Sequence, residues 1–560
     1  MPNFIIDGKE IEFTQGQTII EAAKAVGIDI PHFCWHPSLS VSGNCRVCLV
    51  EVEKMPKLVI ACSTIAAEGM VVHTQSEKTL AARNAVMEFI LINHPLDCPI
   101  CDEAGECKLQ DYAYSHSAGE SRFVEEKVHK DKRVELGPYV MFDAERCISC
   151  SRCIRFCDEI AKDPELTFVK RGDRVTIVTY PGQQMDNPYS LNTTDICPVG
   201  ALTNRDFRFN ARVWDMSSTK TICQGCSRGC NIDLWVRNNK VLRITPRLNE
   251  EVNSYWMCDH GRLSTFKFVN EERVDGPHIR RDGSLVKVDW DEAFQLAAKE
   301  LRSFKKDEIA VIGSASSTCE DDFMVSKFAK SVLGTKNIDF IKKNDPEFAD
   351  DILRKSDMTS NSLGAELLGV KSSSSGLNFD GIVNAIKDGK IKALFIIEED
   401  VVSLNSELET ILTKLDLLIV HSANFNKTTA LADIVFPAAT YAEKNGTVIN
   451  FDGRVQRIRP AVALNEEDRA LEGMSMSRLD RFGTKYDKWA NGTKHDAKAT
   501  WRILAGLSNM FGQKYKFAMA EEVFNEIVNT VPEFKGLDYD VIGELGAKLK
   551  IKISEQTIKA

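Results

Sequence analysis

Apolar and polar residues alternate from Phe4 to Phe13 on either side of Asp7-Gly8, a pair suited to a type I′ turn, so the chain is read as opening on a β-hairpin. Thr18 then precedes Ile19-Ile20-Glu21 in the T-x-x-E spacing of a capping box, and Gly27 follows Val26 as a C′ residue; together they predict a helix. From about Ser76 to Asn93, Leu80, Ala81, Val86, Phe89 and Ile90 recur with charges between them and predict an amphipathic helix. Asn231 to Arg237 alternates as a strand, Asn238-Asn239 turns, and Val241 to Pro246 returns. Past Val288-Asp289-Trp290 the pattern changes. The short apolar runs Ile309–Gly313, Ala393–Ile397 and Leu417–Val420 are separated by helical patterns, as buried parallel strands of α/β units are. Beyond residue 465 the chain turns polar between Gly473 and Lys498, with helical patterns near Ala499–Leu507 and Ala520–Val528.

A length of 560 residues is too great for one core and divides into several domains. With 43% hydrophobic and 27% charged residues the composition is that of a globular protein, and a net charge of −10 has the wrong sign for a nucleic-acid partner. No apolar run reaches the eighteen or so residues needed to span a bilayer. The start enters a strand pattern at once and leaves no room for a leader, so the chain is expected in the cytoplasm, a reducing compartment that suits free thiols.

Those thiols carry the chemistry. Sixteen of the seventeen cysteines fall in the first 260 residues, as C-x10-C-x2-C-x13-C (Cys34, Cys45, Cys48, Cys62), H-x3-C-x2-C-x5-C (His94, Cys98, Cys101, Cys107), C-x2-C-x2-C with a distant Cys-Pro (Cys147, Cys150, Cys153, Cys197), and C-x2-C-x3-C with a distant Cys (Cys223, Cys226, Cys230, Cys258). Soft thiolates in such sets select iron–sulfur clusters, zinc or copper(I). In the second set His94 is the nearby candidate for the fourth donor. Cys157 is one thiol too many for the third set and is expected not to ligate.

Hairpin, helix and cysteine loop in that order resemble a plant-type ferredoxin of β-grasp fold. The resemblance implies a two-iron cluster on Cys34, Cys45, Cys48 and Cys62, with Gly43 giving the backbone room to wrap it. The first gap of ten residues exceeds the family's usual four, and a structural zinc site stays open. The stretch from His94 to Cys107, with Leu109-Gln110-Asp111, closely resembles the four-iron domain of the large iron–sulfur subunit of respiratory complex I. Cys147 to Cys157 with Cys197-Pro198 resembles a bacterial ferredoxin. Cys223 to Cys230 with Cys258-Asp259-His260-Gly261-Arg262 resembles the iron–sulfur entry of molybdopterin oxidoreductases, although Asp259-His260 stands where that family commonly has Lys or Arg. Ala432–Pro437, Glu443–Asn450 and Gly453–Gln456 resemble that family's cofactor domain. Little more than one α/β lobe fits the remaining chain, Cys319 reads as a packed small side chain rather than a metal ligand, and no G-x-G-x-x-G supports a nicotinamide site, so molybdopterin is expected to be absent.

The expected architecture is α+β at the N-terminus, followed by a truncated molybdopterin-oxidoreductase-like α/β domain. Its boundaries are a two-iron ferredoxin domain at 1–78, a one-His three-Cys four-iron domain at 79–140, a bacterial-ferredoxin-like domain at 141–217, a molybdopterin-type four-iron domain at 218–275, the α/β domain at 276–465 and a helical tail at 466–560. The resemblance implies one 2Fe-2S cluster and three 4Fe-4S clusters in a relay within bacterial NADH:quinone oxidoreductase. Its partners would be the flavin-bearing, NADH-binding subunit, the two-iron subunit and the quinone-proximal subunits, on the cytoplasmic face of the membrane. The two-iron and Cys147 clusters would lie on the main path and the Cys223 cluster off it. Two other readings are kept: a formate dehydrogenase α subunit with active molybdopterin, and the diaphorase-side subunit of a soluble hydrogenase.

Overall fold

In a computed structural model of the chain, the opening hairpin pairs Asn3–Ile6 with Lys9–Glu12, and Asp7 and Gly8 take positive φ (47° and 80°) at its turn. Two successive left-handed residues are what a type I′ turn requires. The structure describes residues 2–117, 119–467, 472, 474–475 and 492–551. The predicted first helix runs Ile19–Ala25; the Glu21 carboxylate accepts the Thr18 N–H at 2.8 Å, and Gly27 (φ 77°) ends the helix. Asn3–Ile6 also pairs in parallel with Val71–His73. The resulting five-stranded sheet continues through Leu49–Val52 and Val59–Ile60, with Ile19, Ile20 and Ala23 packed among Phe4, Ile6, Val50 and Val72. That is the β-grasp arrangement.

The chain divides into two units, Met1–Val213 and Trp214–Ala560. In the first, the helix expected from Ser76 runs Glu77–Ile92, but its inward face differs from the apolar pattern. Thr79, Arg83 and Met87 are buried, whereas Leu80 is half-buried and Phe89 is 76% exposed. Arg83 decides the rotation: its guanidinium donates to the Val47 carbonyl (3.4 Å) and the Thr74 carbonyl (3.2 Å), and a buried cation needs those acceptors more than Phe89 needs cover. Farther along, Val140–Phe142 pairs antiparallel with Leu202–Asn204 with Phe142 opposite Leu202. The residues after 142 and those before 202 therefore emerge at one end of the ribbon, which brings Cys147 and Cys197 into one neighbourhood.

In the second unit, Ser217–Ile222, Asn231–Arg237 and Lys240–Pro246 form an antiparallel sheet, with Asn238 and Asn239 at positive φ in the predicted turn. Ile222 lies opposite Asn231, so Cys223 and Cys230 leave the sheet side by side. The three predicted apolar runs are neighbours in a seven-stranded sheet ordered Ser284–Lys287, His278–Arg281, Ile434–Pro437, Leu417–Ser422, Ala393–Ile397, Ile309–Ser314, Ile338–Ile341. The last five strands are parallel. The helices Thr500–Met510 and Ala520–Thr530 match the sequence pattern but do not form a tail. Trp501, Leu504, Val523 and Phe524 are buried in the same core as Val311, Phe395 and Phe436, and Ala547–Lys548 pairs with the strand Arg454–Ile458. Most of the polar stretch between Gly473 and Lys498 lies outside the described residues. Among the described residues no helix is long and apolar enough to cross a membrane.

Candidate metal centres

The first cysteine set sits on the loop after the first helix and at the end of strand Val59–Ile60. The Cys34 N–H points to the Cys45 sulfur at 3.5 Å, and the Ala61 N–H donates to the Cys48 carbonyl at 3.0 Å. The thiol of Cys62 lies within hydrogen-bond reach of those of Cys34 and Cys48, and Cys34 within reach of Cys45. These contacts pull Cys34 and Cys48 toward the thiolate and push Cys45 and Cys62 the other way. Gly43 has φ +64°, and a Cβ there would stand 3.2 Å from Ile60 Cδ1, so the loop is wound tightly where the sequence placed a glycine.

His94, Cys98, Cys101 and Cys107 line one cavity of about 90 Å³, with Arg146 and Gly200 in its wall. Burial, then the Arg146 and Lys127 cations, hold the His94 imidazole down to about 4, so at neutral pH it keeps a lone pair to donate. Burial pushes the Cys107 thiol up to about 12, and Cys101 upward as well. Cys98, on the short turn Cys98–Ile100, is exposed.

Cys147, Cys150, Cys153 and Cys197 line a second cavity, walled by Phe142, Ile177, Val199, Leu202 and Arg152. Ser149 (φ 55°) and Ser151 (φ 63°) take the left-handed conformation between the cysteines, and the Ser149 N–H points to the Cys147 sulfur at 3.4 Å. Burial, reinforced by the neighbouring sulfurs, pushes all four thiols up, Cys147 to about 11. Cys157 lies one helical turn beyond Cys153 in Arg152–Glu159, buried, and does not line the cavity.

The fourth set is wholly buried. The Cys223 N–H donates to the Cys230 carbonyl at 2.9 Å, and a Cβ on Gly261 would stand 2.9 Å from the Cys223 sulfur and 3.6 Å from the Cys258 sulfur, so the two converge on that glycine. Burial pushes all four thiols up, with repulsion from neighbouring sulfurs adding at Cys223, Cys230 and Cys258, the last reaching about 12. His260 turns its ring onto Phe348 at 5.0 Å. Three devices serve the four sets: a tight loop for the first, lined cavities for the second and third, and a glycine contact that draws Cys223 and Cys258 together in the fourth. A soft metal binds the thiolate and displaces its proton, so thiols that burial holds protonated would be deprotonated on binding one. Among the described residues no group of three or more His, Cys, Asp or Glu is arranged to hold a single metal ion.

Comparison with known proteins follows the same order along the chain. Residues 2–77 match a 2Fe-2S iron-sulfur cluster binding domain, 83–122 the NADH-ubiquinone oxidoreductase-G iron-sulfur binding region, and 137–203 the ferredoxin-like domain of NADH-quinone oxidoreductase subunit 3. Residues 216–270 match the molybdopterin oxidoreductase Fe4S4 domain, and 273–374 and 364–471 match molybdopterin oxidoreductase. The NADH-quinone oxidoreductase G subunit of Rickettsia conorii is 43% identical over 333 residues, 59% of this chain and 49% of its own. The chain is homologous to the G subunit of NADH-quinone oxidoreductase. The Streptomyces coelicolor G subunit is 41% identical over 339 residues (60% of this chain, 40% of its own). The NADH-ubiquinone oxidoreductase 75 kDa subunit of Reclinomonas americana is 38% identical over 369 residues (64% and 53%). The chain spans about half the length of the curated bacterial relatives it matches. A solved NAD+-reducing [NiFe]-hydrogenase chain covers 38% of this chain and 91% of its own at 30% identity, with a TM-score of 0.34, too loose in shape to weigh in the assignment.

Sequence reasoning passed over the arginines beside the cavities. Arg152 stands between the candidate ligands Cys150 and Cys153, with Arg155 two residues beyond, and a cation repeated beside a cysteine run was the available signal. It also passed over the role of Glu443 and Lys444. Arg273 and Glu443 form a buried two-pronged pair (2.6 and 2.7 Å), and Lys444 is held by Asp321 and Glu398, both at 2.8 Å. At the carboxyl ends of the parallel strands, where α/β sheets bind ligands, a cavity of about 230 Å³ is lined by Glu398, Glu399 and Asp400 and by no Lys or Arg.

Proposed function

We propose that this chain is an iron–sulfur electron-relay subunit of a proton-translocating NADH:quinone oxidoreductase, carrying electrons from a flavin-bearing subunit toward quinone. The observation that carries the reading lies within the first unit, where the Cys147 set abuts both of its neighbours. On one side Arg152 donates to the Trp35 carbonyl (2.5 Å) and Arg155 to the carbonyls of Cys34 and Ser40, while Asn44 Nδ2 donates to the Ser149 carbonyl (3.1 Å). On the other, the Lys108 N–H donates to the Pro198 carbonyl (3.2 Å), and Gly200 lies in the wall of the His94 cavity. The Cys147 set thus adjoins both other sets of this unit, which also meet each other where the His32 N–H donates to the Tyr112 hydroxyl (3.4 Å), and the exposed Cys98 offers an edge to a partner.

The residues fit one 2Fe-2S cluster on Cys34, Cys45, Cys48 and Cys62, and 4Fe-4S clusters on His94, Cys98, Cys101, Cys107; on Cys147, Cys150, Cys153, Cys197; and on Cys223, Cys226, Cys230, Cys258. When bound, such clusters supply one-electron carriers, and the protein's part is to fix their spacing, potential and access to water. NADH and quinone would be handled by other subunits of the complex, which would hold this chain at the cytoplasmic face of the membrane. At the sheet-edge cavity Glu398 and Glu399 are tied to Lys444 and Lys343 (both 2.8 Å), and the lining includes no Lys or Arg to hold a phosphate-bearing pterin, which favours a lobe without molybdopterin.

Electron paramagnetic resonance with iron quantitation on the full chain tests the reading. The expected result is one two-iron and three four-iron signals; zinc in place of iron, or no reducible centre, overturns it. Stoichiometric molybdenum with a fluorescent oxidised pterin would instead favour the formate dehydrogenase reading.

A further inference from the structure

Arg152 occupies an unusual place in the first unit. It opens the helix Arg152–Glu159, next to Cys153, and its side chain lines the cavity of the Cys147 set. Its two outer nitrogens reach in different directions, Nη1 to the Ile196 carbonyl beside Cys197 (3.1 Å) and Nη2 to the Trp35 carbonyl beside Cys34 (2.5 Å). The remaining donor, Nε, is buried without a hydrogen-bond partner among the described residues. Burial lowers the affinity of the guanidinium for its proton, and the sulfurs that oppose this effect belong to both sets: Cys150 and Cys197 of one, Cys34 and Cys45 of the other. An arginine stays charged in a protein, so a fixed cation stands within electrostatic range of two thiolate cages. A buried N–H left unpaired costs free energy unless something accepts from it, and sulfur in the cavity it lines is the acceptor at hand.

We infer that Arg152 is a shared positioning residue that raises the reduction potentials of the two neighbouring clusters together, with its Nε–H donating to sulfur on the Cys147 side. The inference rests on the proposed reading that the two cages hold clusters. Reduction adds a negative charge to a cluster, and a nearby cation stabilises the reduced form more than the oxidised one. Because one charge faces both cages, its removal moves both potentials in one direction.

The test is an EPR-monitored redox titration of the full chain carrying Arg152→Met, Arg152→Gln or Arg152→Lys. Met and Gln are expected to lower the midpoint of both the two-iron and the Cys147-set signals by about 59 mV, which is a tenfold change in a one-electron equilibrium constant. Lys, which keeps the charge, is expected to restore most of the shift at both. Movement of only one midpoint, of neither, or an equal drop with Lys overturns the inference. Should Met fail to retain a cluster, which iron content reveals, Gln supplies the neutral comparison because its amide can still reach a carbonyl. Absence of both signals from the unsubstituted chain would instead defeat the cluster reading itself.

Discussion

Gly200 and Cys101 approach so closely that a Cβ on the glycine would stand 2.3 Å from the Cys101 sulfur and 2.9 Å from Glu103 Cβ. Three residues before Gly200 is Cys197, a ligand candidate of the neighbouring set, so one short segment closes two cavities. Gly200→Ala must push Cys101 out of its quartet or move the segment itself. The expected outcome is loss of the His94-set signal and a drop of about four iron atoms per chain. The Cys34-set signal should survive, and full iron content in the variant would show that the wall is not rigid.

The grouping of the cysteines was legible in the sequence because short spacing keeps neighbouring thiols together, and the parallel strands were legible because buried β-runs are uniformly apolar. The rotation of helix Glu77–Ile92 was not. Its apolar stripe favoured Leu80 and Phe89, and only the distant carbonyls of Val47 and Thr74, brought up by the sheet, give Arg83 reason to turn inward. The expected tail differs for a similar reason. Trp501 and Phe524 read as one face of short helices, and nothing local says that this face completes the core against Phe436 and Val311. Gly200 and Arg152 were not legible because their importance lies in which second set they touch, Cys101 for the glycine and the Trp35 carbonyl beside Cys34 for the arginine, contacts between segments far apart in the chain.

His94 tests the one quartet that mixes donors. Substituting thiolate for the neutral imidazole makes the centre more negative by one charge and disfavours the added electron. In His94→Cys a cluster should persist, with its midpoint shifted downward in a redox titration. An unchanged midpoint would remove His94 from the ligand set, whereas His94→Ala should lose the signal altogether.

Arg273 and Glu443 form an ion pair with side chains only 2% and 0% exposed. The arginine is fully engaged, with further bonds to the Ala423, Val269 and Ala438 carbonyls, and Glu443 also accepts the Thr440 N–H at 2.8 Å. Removing one partner strands a buried charge. Glu443→Gln should therefore destabilise the second unit by about 3–5 kcal/mol, and the double substitution Arg273→Met, Glu443→Leu should recover part of the loss. Six of the seven tryptophans lie between 214 and 560, so denaturant unfolding followed by tryptophan fluorescence reports mainly on that unit.

Glu320 gives that unit a pH dependence of defined sign. Its carboxyl is fully buried, accepts from the Thr447 N–H (2.8 Å) and the Tyr539 hydroxyl (2.9 Å), and burial pushes it up to about 7. In the unfolded chain the same group ionises at its ordinary value near 4.5. Between those values the folded form holds a proton that the unfolded form has released, so stability is fully present below about 4.5 and falls as pH rises to about 7. Asp321 acts in the opposite sense. Lys444 holds it below the ordinary carboxylate range, so its contribution is present above its unfolded value and is lost only in stronger acid. Asp322, pushed up by burial and by Asp321, adds to the Glu320 slope. His421, held down to about 4 by burial, opposes this slope below about pH 6.5, so the Glu320 share is read as a difference between two chains. From pH 5 to 8 the stability of the unsubstituted chain, followed by fluorescence, should fall relative to that of Glu320→Gln by roughly 3 kcal/mol. A variant whose midpoints track those of the unsubstituted chain across the same range would show that the Glu320 carboxyl ionises alike in the folded and unfolded states.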